Sequence, residues 1–318
     1  MRKAQKENAE ALTDLLKRAH DEIRRAVERK KIPAALALLE DCQQAAISLG
    51  GLTEEAEGEN HAVIPLLEKY CEQIYQFHEK LMEEEAEQGF SADTEDIFGS
   101  VQKSLCQIKD NIQQIRIRRE VVFLPYKASK WDSLESVWRA ADEDPDCDAY
   151  VIPIPYYDKN PDGSFREAHY EGDQYPEYVP VTWYEVYDFA KRQPDMIFIH
   201  NPYDEWNHVT SVHPFFYTKN LKQFTEQFIY IPYFILGEVD PEDEEALKGI
   251  EHFCTVPGVI YADRVIVQSE KMRQAYIHVM TDFLTEQGYG RGYWEEKILG
   301  LGSPKIDKVQ STKKMEAQ

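Results

Sequence analysis

The sequence predicts an all-α hairpin or bundle over residues 1–118, then a Rossmann-like α/β domain with a parallel sheet over residues 119–308. Two observations support this division. Narrow apolar stripes with a period of three to four residues run through the first part. Short continuous apolar runs then alternate with segments long enough for a helix. Residues 309–318 are polar and are expected to form a frayed tail.

Four one-sided helices are predicted in the first part. Their apolar positions recur at helical spacing over residues 12–27, 36–49, 63–81 and 97–115. Pro33 suits the first turn of the second helix, Gly50 and Gly51 are expected to end it, and Asp93 is a candidate N-cap of the fourth. The stripes could be buried against one another, against another copy or partner, or on a membrane surface. Mutual burial is favoured, because membrane-surface helices usually carry Lys and Arg where these carry Glu.

The second part alternates predicted strands with predicted helices. The strand candidates are rich in β-branched and aromatic residues and cover residues 121–124, 150–154, 196–199, 228–231, 265–267 and 298–302. Helices are expected between them at residues 134–141, 182–192, 214–226, 241–250 and 269–286. Pro153 predicts an edge position or an early end for the second strand. Since helical crossovers join strands that run in the same direction, the sheet is predicted to be parallel.

Composition limits the classes of function. The chain has 318 residues with 36 Lys and Arg against 58 Asp and Glu, a net charge of −22. This excess repels phosphate backbones and argues against a general nucleic-acid binder. No run approaches the roughly 18 apolar residues of a membrane span, and the first residues are too polar for a secretory signal. A cytoplasmic location is expected, and association with the inner face of the cell membrane stays open.

Several well-known chemical motifs are missing. The sequence contains no G-x-G-x-x-G after the first strand, no P-loop, no G-x-S-x-G and no H-E-x-x-H. Its five cysteines are odd in number, widely spaced and without C-x-x-C, which predicts reduced thiols rather than a disulfide framework or a zinc ribbon. No metal site and no cofactor are therefore predicted.

The candidate binding residues follow the predicted strands, because ligands of parallel sheets bind beyond the carboxyl ends of the strands. Lys127 and Lys130 flank Ser129 after the first strand, where exposed N–H groups at a helix start can hold an anion. Solvated surface lysines are the simpler interpretation. The full set of predicted substrate- or phosphate-binding residues is Tyr126, Lys127, Ser129, Lys130, Asn201, Tyr203 and Asp204.

Three histidines lie within fourteen residues, at positions His200, His208 and His213. Their spacing, on a predicted loop, matches no standard metal pattern. Either His200 or His213 could act as a general base toward an acceptor hydroxyl, because imidazole titrates near neutral pH. Structural hydrogen bonding is the alternative for both.

An aromatic segment follows the second predicted strand. Its members are Tyr156, Tyr157, Tyr170, Tyr175, Tyr178, Trp183 and Tyr184. Rings of this kind can stack on a sugar or polyol. A long loop that its own rings hold down is the favoured alternative.

Four segments carry a resemblance to a known family. They read FLPYKASKWDSLES over residues 123–136, HNPYD over 200–204, TSVHP over 210–214 and ILGLGSPKIDK over 298–308. With them, residues 121–308 resemble the N-terminal, acceptor-side domain of a GT-B glycosyltransferase, in particular bacterial proteins grouped with CDP-glycerol glycerophosphotransferases of teichoic-acid type. In that family the last segment resembles the crossover toward a second domain.

The chain departs from that family at two points. Family members carry a Trp-His-Gly-Thr-Pro motif with a proposed catalytic histidine, whereas this chain has Val212, His213 and Pro214 without the glycine and threonine. The family's nucleotide-donor site belongs largely to a C-terminal domain, and this sequence ends ten residues after the apparent crossover. The resemblance therefore implies an acceptor side that lacks most of a donor site, and no tightly held metal.

These observations lead to two hypotheses of different classes. The first is the acceptor-side domain of a GT-B-like glycosyl- or glycerophosphotransferase of cell-envelope polymer synthesis, with His213 or His200 as base. It would hold a sugar- or glycerol-phosphate acceptor near Lys127 and Lys130, and a nucleotide-activated donor would need a missing C-terminal domain. The second is a non-catalytic interaction protein that forms a homo-oligomer through its N-terminal helices. A third interpretation is that the sequence is a fragment. Neither hypothesis involves nucleic acid.

Overall fold

The N-terminal third of the chain is helical. The computed structural model describes residues 1–84 and 92–316, and the chain folds as two compact units, Met1–Arg118 and Arg119–Gln318. The helices of the first unit are α1 Lys3–Glu28, α2 Ile32–Glu57, α3 Val63–Glu84 and α4 Ala92–Gln114. Asp93, predicted as an N-cap, falls inside α4, and its side chain lies outside the described residues.

These helices form a closed bundle in which α1 contacts α2, α2 contacts α3, α3 contacts α4 and α4 contacts α1. The apolar stripes meet in one core, so the prediction of mutual burial is confirmed. Pro33 lies in the first turn of α2 as predicted, but the helix does not end at Gly50 and Gly51. It runs on because Leu49 and Thr53, on either side of the glycines, are both fully buried in the bundle and this packing outweighs the poor helix propensity of glycine.

The second unit contains two sheets. Its strands are β1 Arg119–Leu124, β2 Cys147–Val151, β3 Tyr156–Lys159, β4 Phe165–His169, β5 Met196–Ile199, β6 Thr210–Val212, β7 Gln227–Tyr230, β8 Arg264–Ile266 and β9 Ile298–Leu299. Within the described residues, six strands form a parallel sheet in the order β2-β1-β5-β7-β8-β9. The predicted parallel α/β architecture is confirmed, and β2 occupies the predicted edge.

Both faces of this parallel sheet are buried. Val122 and Leu124 point to one face, where they join a core that includes α-helical residues such as Met272. Val121 and Phe123 alternate to the other face and pack with a second core. A strand that is covered on both sides must be apolar at every position, which is why the continuous run over residues 121–124 predicted β1 correctly.

The helices of this unit are α5 Glu135–Asp142, α6 Phe189–Arg192, α7 Thr218–Leu221, α8 Glu244–Cys254, α9 Pro257–Tyr261, α10 Glu270–Leu284, α11 Arg291–Lys297 and α12 Pro304–Glu316. The helix predicted over residues 182–192 is wrong except for α6, because the backbone near Val181 bridges to β2 instead. The helix predicted over residues 214–226 is broken into 3-10 turns around α7. The tail predicted to fray from residue 309 continues α12 to Glu316.

A small antiparallel sheet, which the sequence did not predict, joins the strands in the order β4-β3-β6. A β-bulge lies between β3 and β4, since Tyr157 pairs with Ala168 whereas Lys159 pairs with Phe165. Two residues of β4 therefore oppose the single residue Asp158.

In the described parts of the chain, the helices lack the combination of length and apolar character that a membrane span requires.

Candidate functional site

The order of the parallel strands marks one place in the sheet. Strand β1 lies between β2 and β5, so the chain leaves β1 toward one side and later returns to the other. In doubly wound sheets this reversal opens a crevice at the carboxyl ends of the two central strands, where ligands bind. Here the crevice is bounded by residues 125–130 after β1 and residues 200–203 after β5.

Tyrosines and lysines gather at these strand ends. We name the group the tyrosine–lysine cluster, and its members are Tyr126, Lys127, Lys130, Tyr156, Tyr203 and Tyr233. The Tyr126 ring is central, with its centroid 5.5 Å from that of Tyr156 and 6.2 Å from that of Tyr233. The sequence predicted four of these residues as substrate- or phosphate-binding, predicted Tyr156 only as a ring that could stack on a sugar or polyol, and missed Tyr233. Tyr233 follows β7 at the same edge of the sheet, which is the pattern that identifies it.

The two lysines of the cluster lie over tyrosine rings. The Lys127 Nζ is 4.7 Å from the ring centroid of Tyr156, and the Lys130 Nζ is 5.6 Å from that of Tyr233. Among the described residues, neither ammonium group forms an ion pair with a carboxylate. The nearby Lys305, by contrast, forms an ion pair with Asp132 at 2.6 Å. Cation–π contacts of this kind hold a charge in place without neutralising it. Both lysines are half-buried and keep their charge available.

The tyrosine hydroxyls of the cluster remain protonated at neutral pH. Burial raises the pKa of Tyr203 to about 12 and raises the pKa of Tyr126 further. Burial also raises the pKa of Tyr233. The cluster therefore offers neutral O–H groups beside two cations, which is a donor set suited to an anion or a polyol.

His200 is a structural residue. It is fully buried, and its Nε2 accepts a hydrogen bond from the backbone N–H of Tyr126 at 3.1 Å. Its Nδ1 therefore carries the proton and donates to the Ser133 Oγ at 2.9 Å. Burial lowers the pKa of His200 to about 3. With both nitrogens engaged and no exposure, this imidazole has no lone pair for a substrate.

Asp204 also serves the fold. Its side chain is buried and accepts hydrogen bonds from the backbone N–H of Thr218 at 2.8 Å and from its Oγ1 at 2.6 Å. Burial raises the pKa of this carboxyl to about 7. Asn201 is nearly buried directly after His200, and Ser129 is exposed on the 3-10 helix Ala128–Ser133. The hydrogen bonds of the Asp204 side chain thus go to the start of α7.

His213 lies on the other face of the small sheet. Its ring centroid is 6.1 Å from that of Tyr157, while Lys127 contacts Tyr156. Neighbouring residues of a strand point to opposite faces, so β3 separates His213 from the lysines. The His213 Nδ1 accepts a hydrogen bond from the Phe215 N–H at 3.2 Å. The ring contacts of the two lysines among the described residues are with Tyr126, Tyr156 and Tyr233, not with His213.

Glu171, which the sequence did not single out, occupies the anion position at the start of the 3-10 helix. Its Oε2 accepts from the Ala128 N–H at 2.8 Å and its Oε1 accepts from the Tyr156 hydroxyl at 2.7 Å. The backbone donor predicted to hold a ligand anion is thus taken by the chain itself. The charge available to a ligand comes from Lys127 and Lys130 instead.

The aromatic segment is only partly the loop that the favoured interpretation predicted. Tyr156 and Tyr157 lie in strand β3. In the loop that follows the hairpin, Trp183 contacts both Tyr170 and Tyr184, with centroids 4.5 Å and 4.9 Å apart.

Comparisons with protein-family models, with curated proteins and with solved structures gave no match for this chain.

Proposed function

We propose that the tyrosine–lysine cluster binds a small phosphorylated molecule that carries hydroxyl groups, such as a sugar phosphate or glycerol phosphate. In this proposal the α/β unit is the acceptor side of a GT-B-like glycosyl- or glycerophosphotransferase. The observation that carries it is the pair of uncompensated ammonium groups of Lys127 and Lys130 at the strand-order reversal of the sheet.

The chemistry of the cluster suits both parts of such a ligand. A phosphate gains a charge-assisted hydrogen bond of about 1.5–3 kcal/mol from each lysine that it reaches. Hydroxyl groups of the same ligand can exchange hydrogen bonds with Tyr203 and Tyr233, whose rings also offer an apolar surface for carbon atoms. In a chain of net charge −22, a long-range attraction for anions is absent. Affinity must therefore depend on these local contacts.

Calorimetric titration of the full chain with glycerol 3-phosphate tests this binding proposal. Lys127→Gln and Lys130→Gln are each expected to weaken binding about tenfold or more, because each removes one charge-assisted contact. Lys248→Gln is the matched control, since Lys248 is an exposed lysine on α8. Unchanged affinity in both site variants, or an equal loss in the control, contradicts the proposal.

The second candidate is a non-catalytic protein that binds the same ligand without converting it. The engagement of both His200 nitrogens favours it, because this removes one of the two predicted bases. His213 retains a nitrogen without a partner among the described residues, but it lies across β3 from the lysines. A binding protein of this class would recognise a phosphorylated metabolite or polymer end and signal its presence through another protein.

Release of CMP from CDP-glycerol in the presence of glycerol phosphate tests for the transferase. Turnover that His213→Ala abolishes, with glycerol 3-phosphate binding intact, supports the transferase and its base. Turnover that survives His213→Ala supports a transferase with a different base. Binding of glycerol 3-phosphate without turnover is expected both of a non-catalytic protein and of an acceptor side whose nucleotide donor is held by another domain.

A further inference from the structure

We infer that Asp158, Glu167 and His169 form a binding site for a divalent first-row transition-metal cation on the β3–β4 hairpin. Each residue offers one ligand atom, and these atoms all lie within 4.8 Å of one another. The site lies outside the tyrosine–lysine cluster, and its test does not depend on the proposed function.

The pairing of β3 with β4 explains why these side chains converge. Tyr156 pairs with His169, and Asp158 lies two residues beyond Tyr156 on the same face of β3. The bulge places Arg166 and Glu167 together opposite Asp158.

The orientation of His169 is set before any cation binds. Its ring stacks on Tyr156 with centroids 4.9 Å apart and planes inclined by 24°. Its Nε2 is 3.2 Å from the Asp158 Oδ2. Two metal–ligand bonds of about 2.1 Å to these atoms would meet at about 100°, an angle that tetrahedral and octahedral coordination both accept.

Charge at the hairpin bears directly on cation binding. Arg166 donates to the Asp158 Oδ2 at 3.0 Å, so its guanidinium competes with a metal for this carboxylate oxygen. Arg166 is 63% exposed, so its pair with Asp158 is weak and a cation of higher charge can displace it. Glu167 is exposed, and its carboxylate has no ion-pair partner in the described residues.

The ligand set indicates the class of ion. One imidazole nitrogen and two carboxylate oxygens suit borderline ions such as Mn²⁺, Fe²⁺ or Zn²⁺ better than Ca²⁺ or Mg²⁺, which prefer oxygen ligands. Three protein ligands leave positions for water or a bound anion. The site is partly exposed, so such a ligand can reach it.

A titration of the full chain with Mn²⁺ in excess Mg²⁺ tests the inference. The concentration of free Mn²⁺ is measured from its EPR signal. The Mg²⁺ occupies the general acidic surface, and the unmodified chain is expected to bind one tight equivalent of Mn²⁺. Asp158→Asn and His169→Gln are expected to weaken it at least tenfold, since even outer-shell changes cost about 10–100-fold. Arg166→Gln is expected to strengthen it roughly fivefold, because it removes a competing cation.

Two controls separate this site from the rest of the chain. His208→Gln and Glu177→Gln remove an exposed imidazole and an exposed carboxylate elsewhere, and both are expected to leave Mn²⁺ binding unchanged. Circular dichroism without metal confirms that each variant folds. The inference is overturned if the unmodified chain binds no tight equivalent of Mn²⁺ or if Asp158→Asn binds Mn²⁺ as tightly as the unmodified chain. It is also overturned if Arg166→Gln does not strengthen Mn²⁺ binding.

Discussion

Burial decides what the individual polar residues near the sheet edge can do. His200, Asp204 and Lys127 all follow parallel strands and all looked equally suited to a site in the sequence. In the structure, the side chains of His200 and Asp204 join backbone segments. They accept hydrogen bonds from the backbone N–H groups of Tyr126 and Thr218, respectively. The structure leaves the Lys127 ammonium over a ring and without a carboxylate in the described residues. No spacing rule distinguishes these outcomes, because the partners lie 14 to 74 residues away along the chain.

Replacement of His200 by Ala is expected to destabilise the α/β unit. It leaves the buried Tyr126 N–H without an acceptor and opens a cavity, at a cost of about 3 kcal/mol in the free energy of unfolding. All five tryptophans of the sequence lie after residue 118, so tryptophan fluorescence in urea reports this unit. His208→Ala, at an exposed histidine, is the control and is expected to change stability by less than about 0.5 kcal/mol. A loss below about 1 kcal/mol for His200→Ala would refute the structural role.

The same histidine makes stability depend on pH. Burial lowers the pKa of His200 to about 3 in the folded chain, whereas an unfolded histidine titrates near about 6.5. Between these values the unfolded chain binds the proton and the folded chain does not, so stability falls as the pH falls. Between about pH 7.5 and about pH 5, His200 lowers the free energy of unfolding by about 2 kcal/mol. Urea titrations should show a drop in the unmodified chain that exceeds the drop in His200→Ala, and equal drops would contradict this assignment.

At the level of elements, the sequence pattern predicted the strands that are buried on both faces and missed a strand that is mostly exposed. The parallel strands read as continuous apolar runs such as residues 196–199. Strand β4, Phe165–His169, contains alternating polar residues and is exposed over most of its length, so its pairing with β3 depends on neighbours that no local pattern reveals. The segment over residues 182–192 has helical spacing, but its rings pack on the loop and its backbone bridges to β2.

Glycine 300 is expected to be essential where β9 meets the start of α10. A Cβ at Gly300 would lie 2.7 Å from the Ser269 carbonyl oxygen and 2.8 Å from the Glu270 nitrogen, and neither backbone atom can move freely. Gly300→Ala should therefore lower the free energy of unfolding by more than about 2 kcal/mol. At Gly249, inside α8, an added Cβ meets nothing within 4 Å, so Gly249→Ala should raise it by about 0.5–1 kcal/mol. Urea unfolding followed by tryptophan fluorescence measures both, and equal effects would argue against this packing.

At the level of the whole molecule, two units divide the tasks. The N-terminal bundle buries its apolar stripes in its own core. The α/β unit contains every residue of the tyrosine–lysine cluster and of the hairpin site. The sequence boundary at residue 118 could be predicted because the hydrophobic period changes there. The cluster itself could be predicted in part, since four of its six members directly follow β1 or β5.

Residues 119–318 alone are expected to fold and to bind the ligand as the full chain does. Both cores of the parallel sheet are formed within this unit. Its urea midpoint by tryptophan fluorescence and its affinity for glycerol 3-phosphate should match those of the full chain, and residues 1–118 should show no binding. An unfolded product, or binding that requires residues 1–118, would contradict this division.

The central claim is that the carboxyl edge at β1 and β5 binds a phosphorylated ligand, and mapping the ligand by amide chemical shifts tests it most directly. Glycerol 3-phosphate is titrated into the isotope-labelled full chain, with glycerol as the uncharged comparison. We expect the largest saturable shifts at residues 125–131, 200–203 and 232–234, and much smaller shifts with glycerol. Shifts concentrated elsewhere in the chain, or an absence of saturable shifts at this edge, would contradict the claim.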